Sequence, residues 1–270
     1  MAARTPDTLR AVLPAAVLRG AGRTAQDAAA WDSALRAPVG TSRRVTFLAA
    51  DGGAGTTTLA AAVALALAHR RTGPVLALDA AGGPSALRVR LDVEDVPPLD
   101  DVAYGAPVRS LADAREITRE ARPGLHLAGA SGWALHPAVW TDGAAALGRF
   151  FEVVVTDAGR RSSHDATTLA ARSHATAVVA RTDAGSFAAG RVLADTIRDA
   201  LPEARVELVL VGVAPGEPPF VHGERPGALA IPHDLAAARS LGTPLPQLAA
   251  GTRAAVVHAA AHLISEARSA

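Results

Sequence analysis

Short, almost wholly apolar runs recur along the chain at residues 45–50, 74–79, 125–128, 151–157, 175–181, 206–213 and 228–231, with helical stretches at 57–70, 186–201 and 251–268. A strand that is apolar at consecutive positions must be covered on both faces, because successive side chains point to opposite sides of a sheet. Such strands alternating with helices predict a parallel sheet with helices on both faces. Right-handed crossovers then wind the chain into a doubly wound α/β sandwich. Ligands of such sheets bind beyond the carboxyl ends of the strands.

Composition narrows the chemistry available at those ends. Among the 270 residues there is no cysteine, so disulfides, thiolate catalysis and cysteine zinc sites are excluded. Nor is there a lysine: all 27 side chains counted as Lys+Arg are arginine. A general bias toward Arg and Ala accounts for that without invoking function. The chemical consequence is the same, since no residue of this chain can serve as a catalytic or phosphate-binding lysine. The formal net charge of +1 gives no strong drive toward nucleic acid or an anionic membrane. The longest purely apolar run, 59–68, is well short of the ~18 residues of a membrane span. The early apolar stretch 11–18 contains Pro14 and is flanked by Arg10 and Arg19, so no signal peptide is expected. A cytoplasmic protein is expected, reaching a membrane only peripherally and through a partner. Residues 1–40 read as a partly flexible N-terminal extension with a helix at about 24–35, closed by Pro38 and Gly40. Residues 41–270 read as one domain, in which the Pro- and Gly-rich stretch 215–226 is a mobile loop.

The first apolar run leads directly into Asp51, Gly52, Gly53, Ala54, Gly55, Thr56, Thr57 and Thr58, and a helix follows. Strand, glycine turn and helix together aim backbone N–H groups at one point, which is the geometry of a phosphate cradle. Two later runs end on carboxylates, Asp79 and Asp157. Plainer readings exist for each of these residues. The glycines also suit a bare tight turn, Thr56 suits a simple helix cap, and the two aspartates suit caps or ion-pair partners. His258 and His262 stand four apart on the last helix without a third metal ligand, and the pairs Arg43-Arg44 and Arg70-Arg71 read as solvated surface.

In order along the chain, these segments resemble the MinD/ParA family of P-loop ATPases, over about residues 41–268. The loop is similar to the family's deviant Walker A sequence Lys-Gly-Gly-x-Gly-Lys-Thr-Thr, Asp79 to its next strand-end aspartate, and Asp157 to its Walker B aspartate. Ile231-Pro232-His233-Asp234, followed by Gly242-Thr243-Pro244-Leu245, is similar to the adenine-side segment and its helix. The pattern is nearest to actinobacterial MinD-like proteins associated with type VII secretion. The resemblance implies that Gly52, Gly53, Ala54, Gly55, Thr56, Thr57, Thr58, Asp79, Asp157 and Pro232 line a nucleotide site. It also implies that Thr57 ligates magnesium, with Asp157 supporting it, whenever nucleotide binds. It implies a homodimer working with a protein partner.

The departures fall on the chemistry. Asp51 stands where the family has its signature lysine, Thr56 where it has the P-loop lysine, Ala81 at the aspartate that orients water, and Gly212 at the adenine-reading asparagine. One charge-assisted hydrogen bond is worth about 1.5–3 kcal/mol, so losing a single lysine weakens binding roughly ten- to a hundredfold. No catalytic residue and no tightly held cofactor are expected; ATP with Mg²⁺ is the ligand that could bind weakly, and Arg160 or Arg161 are the candidate substitute cations. The reading is a pseudo-ATPase that regulates or scaffolds a secretion, partition or polar-positioning machine. Its rivals are a slow ATPase of the same family and a nonspecific DNA-binding partition protein. A dinucleotide oxidoreductase is disfavoured because the loop is not a well-formed dinucleotide fingerprint.

Overall fold

The computed structural model describes residues 15–83, 86–130, 132–213, 229–239 and 247–270. Its strands are β1 (Arg43–Ala49), β2 (Val75–Asp79), β3 (Arg119–Arg122), β4 (Leu125–Gly129), β5 (Val153–Arg160), β6 (Ala175–Arg181), β7 (Val206–Val213) and β8 (Leu229–Pro232). They form one sheet in the order β3-β4-β2-β5-β1-β6-β7-β8. All neighbours are parallel except β3 and β4, which pair antiparallel. Each of the seven apolar runs is a strand. β3 has no such signal: it reads Arg-Glu-Ala-Arg, and only Ala121 of its four residues is buried. A charged, short strand is a normal sheet edge, and charge there discourages pairing with other chains.

The helices are α1 (Ala15–Arg36), α2 (Thr56–Arg70), α3 (Leu87–Leu91), α4 (Leu99–Tyr104), α5 (Leu111–Glu116), α6 (Pro137–Gly148), α7 (Ser163–Ala171), α8 (Ala184–Ala200), α9 (Leu235–Arg239) and α10 (Ala250–Ser269). They cover both faces of the sheet, and the strand pleat shows why. Val153 and Val155 of β5 join the core under α2 and α10, while Val154 between them joins the core under α6 and α7. β2 divides in the same way, Val75 and Ala77 against Leu76 and Leu78. The run of consecutive apolar residues is therefore two half-cores threaded through one strand.

Two polar pairs inside the sandwich match one another. Trp140 Nε1 donates to Thr156 Oγ1 at 3.1 Å, and Thr46 and Ser173 share a hydroxyl hydrogen bond of 2.6 Å. Periodicity did not pick out α6, which carries Gly143 and Gly148. Gly143 is there for contact: a Cβ on it would stand 2.5 Å from Leu99 Cγ, so the missing side chain lets α4 approach.

The segment read as an N-terminal extension contributes a long helix to the core. α1 packs along α10 and α2, and Leu35 is fully buried between them. Arg71 fastens that junction. Its guanidinium pairs with Glu152 at 2.7 Å and donates to the carbonyls of Leu35 and Ala37 at 2.7 and 3.1 Å. Only 2% of the Arg71 side chain is exposed, so the expectation of a solvated Arg70-Arg71 pair is corrected for Arg71. The Pro/Gly-rich loop expected at 215–226 and the Gly242–Leu245 stretch lie outside the described residues. β1 lies between β5 and β6, so the chain winds away from it in both directions. The loop after β1 is thus at the point where the winding reverses, where doubly wound sheets hold ligands.

Candidate functional site

Residues 50–55 connect β1 to α2. Gly53 and Gly55 have φ of 77° and 84°, a left-handed conformation that side-chain-bearing residues avoid. Gly55 is also the N-cap of α2, and no side chain caps that helix. Its first-turn N–H groups, those of Thr56, Thr57 and Thr58, therefore keep the orphan donors that helix N-termini present to anions. The cap expected of Thr56 is not made. Thr56 is the first helical residue, and its Oγ1 is buried without a hydrogen-bond partner.

The two strand-end aspartates lie side by side, because β2 and β5 are neighbours and Asp79 is opposite Asp157 in register. Their roles differ. Asp79 accepts from Gly82 N at 2.9 Å and Leu87 N at 2.7 Å, so it organises the turn after β2 and the start of α3. Burial raises its pKa, and the backbone donors around it partly offset that. Asp157 is wholly buried at a break in the β1–β5 register. Its Oδ1 accepts from Gly159 N at 3.1 Å, and its Oδ2 lacks a well-formed partner. Burial pushes its pKa up to about 7, against a weak approach from the Thr57 hydroxyl, and the neighbouring Asp79 raises it further. A carboxylate in that state is poised to take a cation or a proton.

The candidate cations Arg160 and Arg161 both lie near the end of β5, and neither has a hydrogen bond to the glycine loop among the described residues. Arg161 lies over the core side, donating to the carbonyls of Ala158, Leu135 and Ala80 at 2.8, 2.6 and 2.6 Å, so it serves the fold. Arg160 is exposed at the end of β5. The arginine on the loop is Arg181, the last residue of β6. Its Nη2 pairs with Asp51 Oδ2 at 2.7 Å and its Nη1 donates to the Gly52 carbonyl at 3.0 Å. Asp183 holds its Nε at 2.9 Å, and Ser186 Oγ donates to the other Asp51 oxygen at 3.0 Å. Asp51 is thus engaged by β6 and the start of α8.

A cavity of about 240 Å³ adjoins the loop, lined by Gly53, Gly55, Arg181, Val211, Ile231 and Pro232 among others. It gathers Gly53, Ala54, Gly55, Thr58 and Pro232, whereas Gly52, Thr56, Thr57, Asp79 and Asp157 are not in its wall. Gly212, with φ of 86°, lies along the same wall. The volume falls below the ~300–1,000 Å³ usual for small-molecule pockets. Asp234 beside it is occupied by the backbone, accepting from Ala236, Ala237 and Ala249. A larger cavity of about 1230 Å³ opens at the opposite end of α2, around Trp31, Arg70 and Arg122. His262 does have carboxylate neighbours, Glu207 and Glu266, which sequence spacing did not show. They are already paired, His262 with Glu207 at 3.4 Å and Glu266 with Arg205 at 4.0 Å.

No family model and no curated protein matches the chain. Solved structures do. A ParA family ATPase from Chlorobium tepidum superposes with a TM-score of 0.67 at 20% identity, over 82% of this chain and 99% of that one. The fold is that of the MinD/ParA P-loop NTPases. The septum site-determining protein MinD of Pyrococcus horikoshii, solved with Mg-ADP, matches with a TM-score of 0.63 at 18% identity over 81% of this chain and 94% of that one. The MinD cell division ATPase of Pyrococcus furiosus gives 0.63 at 20% identity over 83% and 98%. Among the described residues no helix is long and apolar enough to cross a membrane.

Proposed function

We propose that this chain is a MinD/ParA-type pseudo-ATPase, a regulatory or scaffolding protein of a secretion, partition or polar-positioning machine. The observation that carries the reading is the Asp51–Arg181 pair on a loop that has no lysine. Where the family places a cation to meet phosphate, this chain places a carboxylate and neutralises it internally. Three further features support it. Thr56 offers a buried hydroxyl in place of the second lysine. Ala81 has no group to orient a water, and its N–H is engaged by the Asp157 carbonyl at 3.0 Å. Asp79 is committed to backbone donors. Losing one transition-state donor typically lowers a rate by about 10²–10³, and several are missing here. The type VII secretion setting, a homodimer and a cytoplasmic location with a protein partner extend the reading from the family resemblance. A steady-state phosphate-release assay with Mg-ATP tests it: turnover at background is expected. Clear turnover that disappears in Asp157→Ala establishes the slow ATPase instead.

A further inference from the structure

We infer that Arg181 is the phosphate-binding cation of this chain and that Asp51 is its built-in competitor, so a phosphorylated ligand binds by displacing the Asp51 carboxylate from the guanidinium. The inference rests on the pseudo-ATPase reading and assigns the site its own ligand chemistry. Four observations carry it. First, the loop keeps a cradle: left-handed glycines at 53 and 55 and an uncapped helix of 15 residues whose first-turn donors are directed outward along the axis. Second, a buried hydroxyl without a partner, Thr56 Oγ1, sits at the first position of that helix, in a residue only 5% exposed. Third, Arg181 already lies on the cradle, its Nη1 on the Gly52 carbonyl and 3.7 Å from the point where a Gly53 Cβ would be. Fourth, Arg181 lines the adjoining cavity, so a ligand in that space faces the guanidinium.

The present partners of Arg181 explain why such binding is weak. One cation is shared by two carboxylates, Asp51 at 2.7 Å and Asp183 at 2.9 Å, so the cluster has no net positive charge. Arg181 and Asp51 are 42% and 28% exposed in their side chains, so water screens the pair and leaves it exchangeable. A phosphate group, like a carboxylate, accepts charge-assisted hydrogen bonds from a guanidinium, so it can take the place of Asp51 at Nη2. Asp183 accepts Ser186 N at 3.0 Å and caps α8, so it stays in place while Asp51 is released. Ligand binding would thereby free the Asp51–Ser186 link between the loop and α8 as well.

Calorimetric titration with Mg-ATP, Mg-ADP and tripolyphosphate, on the parent, Asp51→Asn, Arg181→Gln and the double variant, tests this. Asp51→Asn keeps an acceptor for Ser186 and removes the charge; all three probes should bind about tenfold more tightly, the scale of one like charge near a partly exposed ligand. Arg181→Gln should lose detectable binding, and in its background Asp51→Asn should bring no gain, because the two residues act as a pair. Thermal melts confirm that each variant folds, and Asp51→Ser repeats the measurement if the asparagine variant does not. A gain from Asp51→Asn that persists without Arg181 overturns the inference, since Asp51 would then act by bare repulsion. Absence of binding by the folded, charge-free variant overturns it too, and leaves the pseudo-ATPase reading standing. Phosphate release by the parent sinks that reading while the titrations still decide the role of Arg181.

Discussion

At the scale of single residues, the chain sets titratable groups against burial in ways that a pH series can read. His174 Nδ1 accepts the backbone N–H of Arg44 at 3.0 Å, a bond that needs the ring nitrogen unprotonated. Burial holds its pKa down to about 4, with the Arg44 and Arg43 charges adding to the effect. An unfolded histidine titrates near ~6.5. The unfolded chain therefore binds the extra proton between those values, and stability falls as pH drops from about 6.5 toward about 4. Urea unfolding between pH 7.5 and 4.5 should show that loss, and His174→Asn, which keeps an acceptor and does not titrate, should reduce it. A slope unchanged in the variant would assign the acid sensitivity to other groups. Arg181 belongs to this scale as well. In the sequence it is one arginine among 27, and only its place at the end of β6 gives it a partner on the glycine loop.

At the scale of elements, the informative contrast is between two adjacent arginines at the end of α2. Arg70 is partly exposed and meets Asp32 at 3.2 Å, an interaction of the kind worth ~0–1 kcal/mol. Arg71 is buried and ties α2 to the end of α1 and to Glu152. Arg71→Met should destabilise the protein by about 1–3 kcal/mol, the range for leaving buried carbonyls without their donor. Arg70→Met should cost less than about 1 kcal/mol. Chemical denaturation of the two variants compares them directly, and equal effects would show that α1 is not held at this junction. Helices were harder to recognise than strands for a physical reason. α8 has polar and apolar faces that periodicity detects, whereas the short α3, α4 and α5 are specified by where their few apolar residues land on the sheet. Their caps are local chemistry all the same: Ser110 and Asp113 form a capping box at α5.

At the scale of the whole molecule, charge separates the remaining rivals. The formal net charge is only +1, and some of the charges are matched in local pairs, such as Arg36 with Asp32 and Arg198 with Asp195. Binding to random duplex DNA through phosphate contacts should therefore be weak at physiological salt and shallow in its salt dependence. Tight retention with a steep salt slope would favour the partition-protein reading over the pseudo-ATPase. The two-sided, mostly parallel sheet with β1 near its centre is shared with the MinD/ParA fold.

Much of this is legible in the sequence. Consecutive apolar residues force a strand to be covered twice, so the seven runs already required a sandwich with helices on both faces. The glycine loop announced its position because strand, left-handed turn and helix are consecutive in the chain, and the absence of lysine is a matter of counting. What local pattern could not supply was strand order. Asp51 and Arg181 are 130 residues apart, and they meet because β1 and β6 became neighbours. The same holds for Asp79 beside Asp157 across β2 and β5, and for Leu35 and Arg71 between α1 and α2. Periodicity reports which face of an element is buried; which charges then stand opposite one another depends on how the elements are arranged, and that arrangement put a carboxylate–arginine pair on the glycine-rich loop.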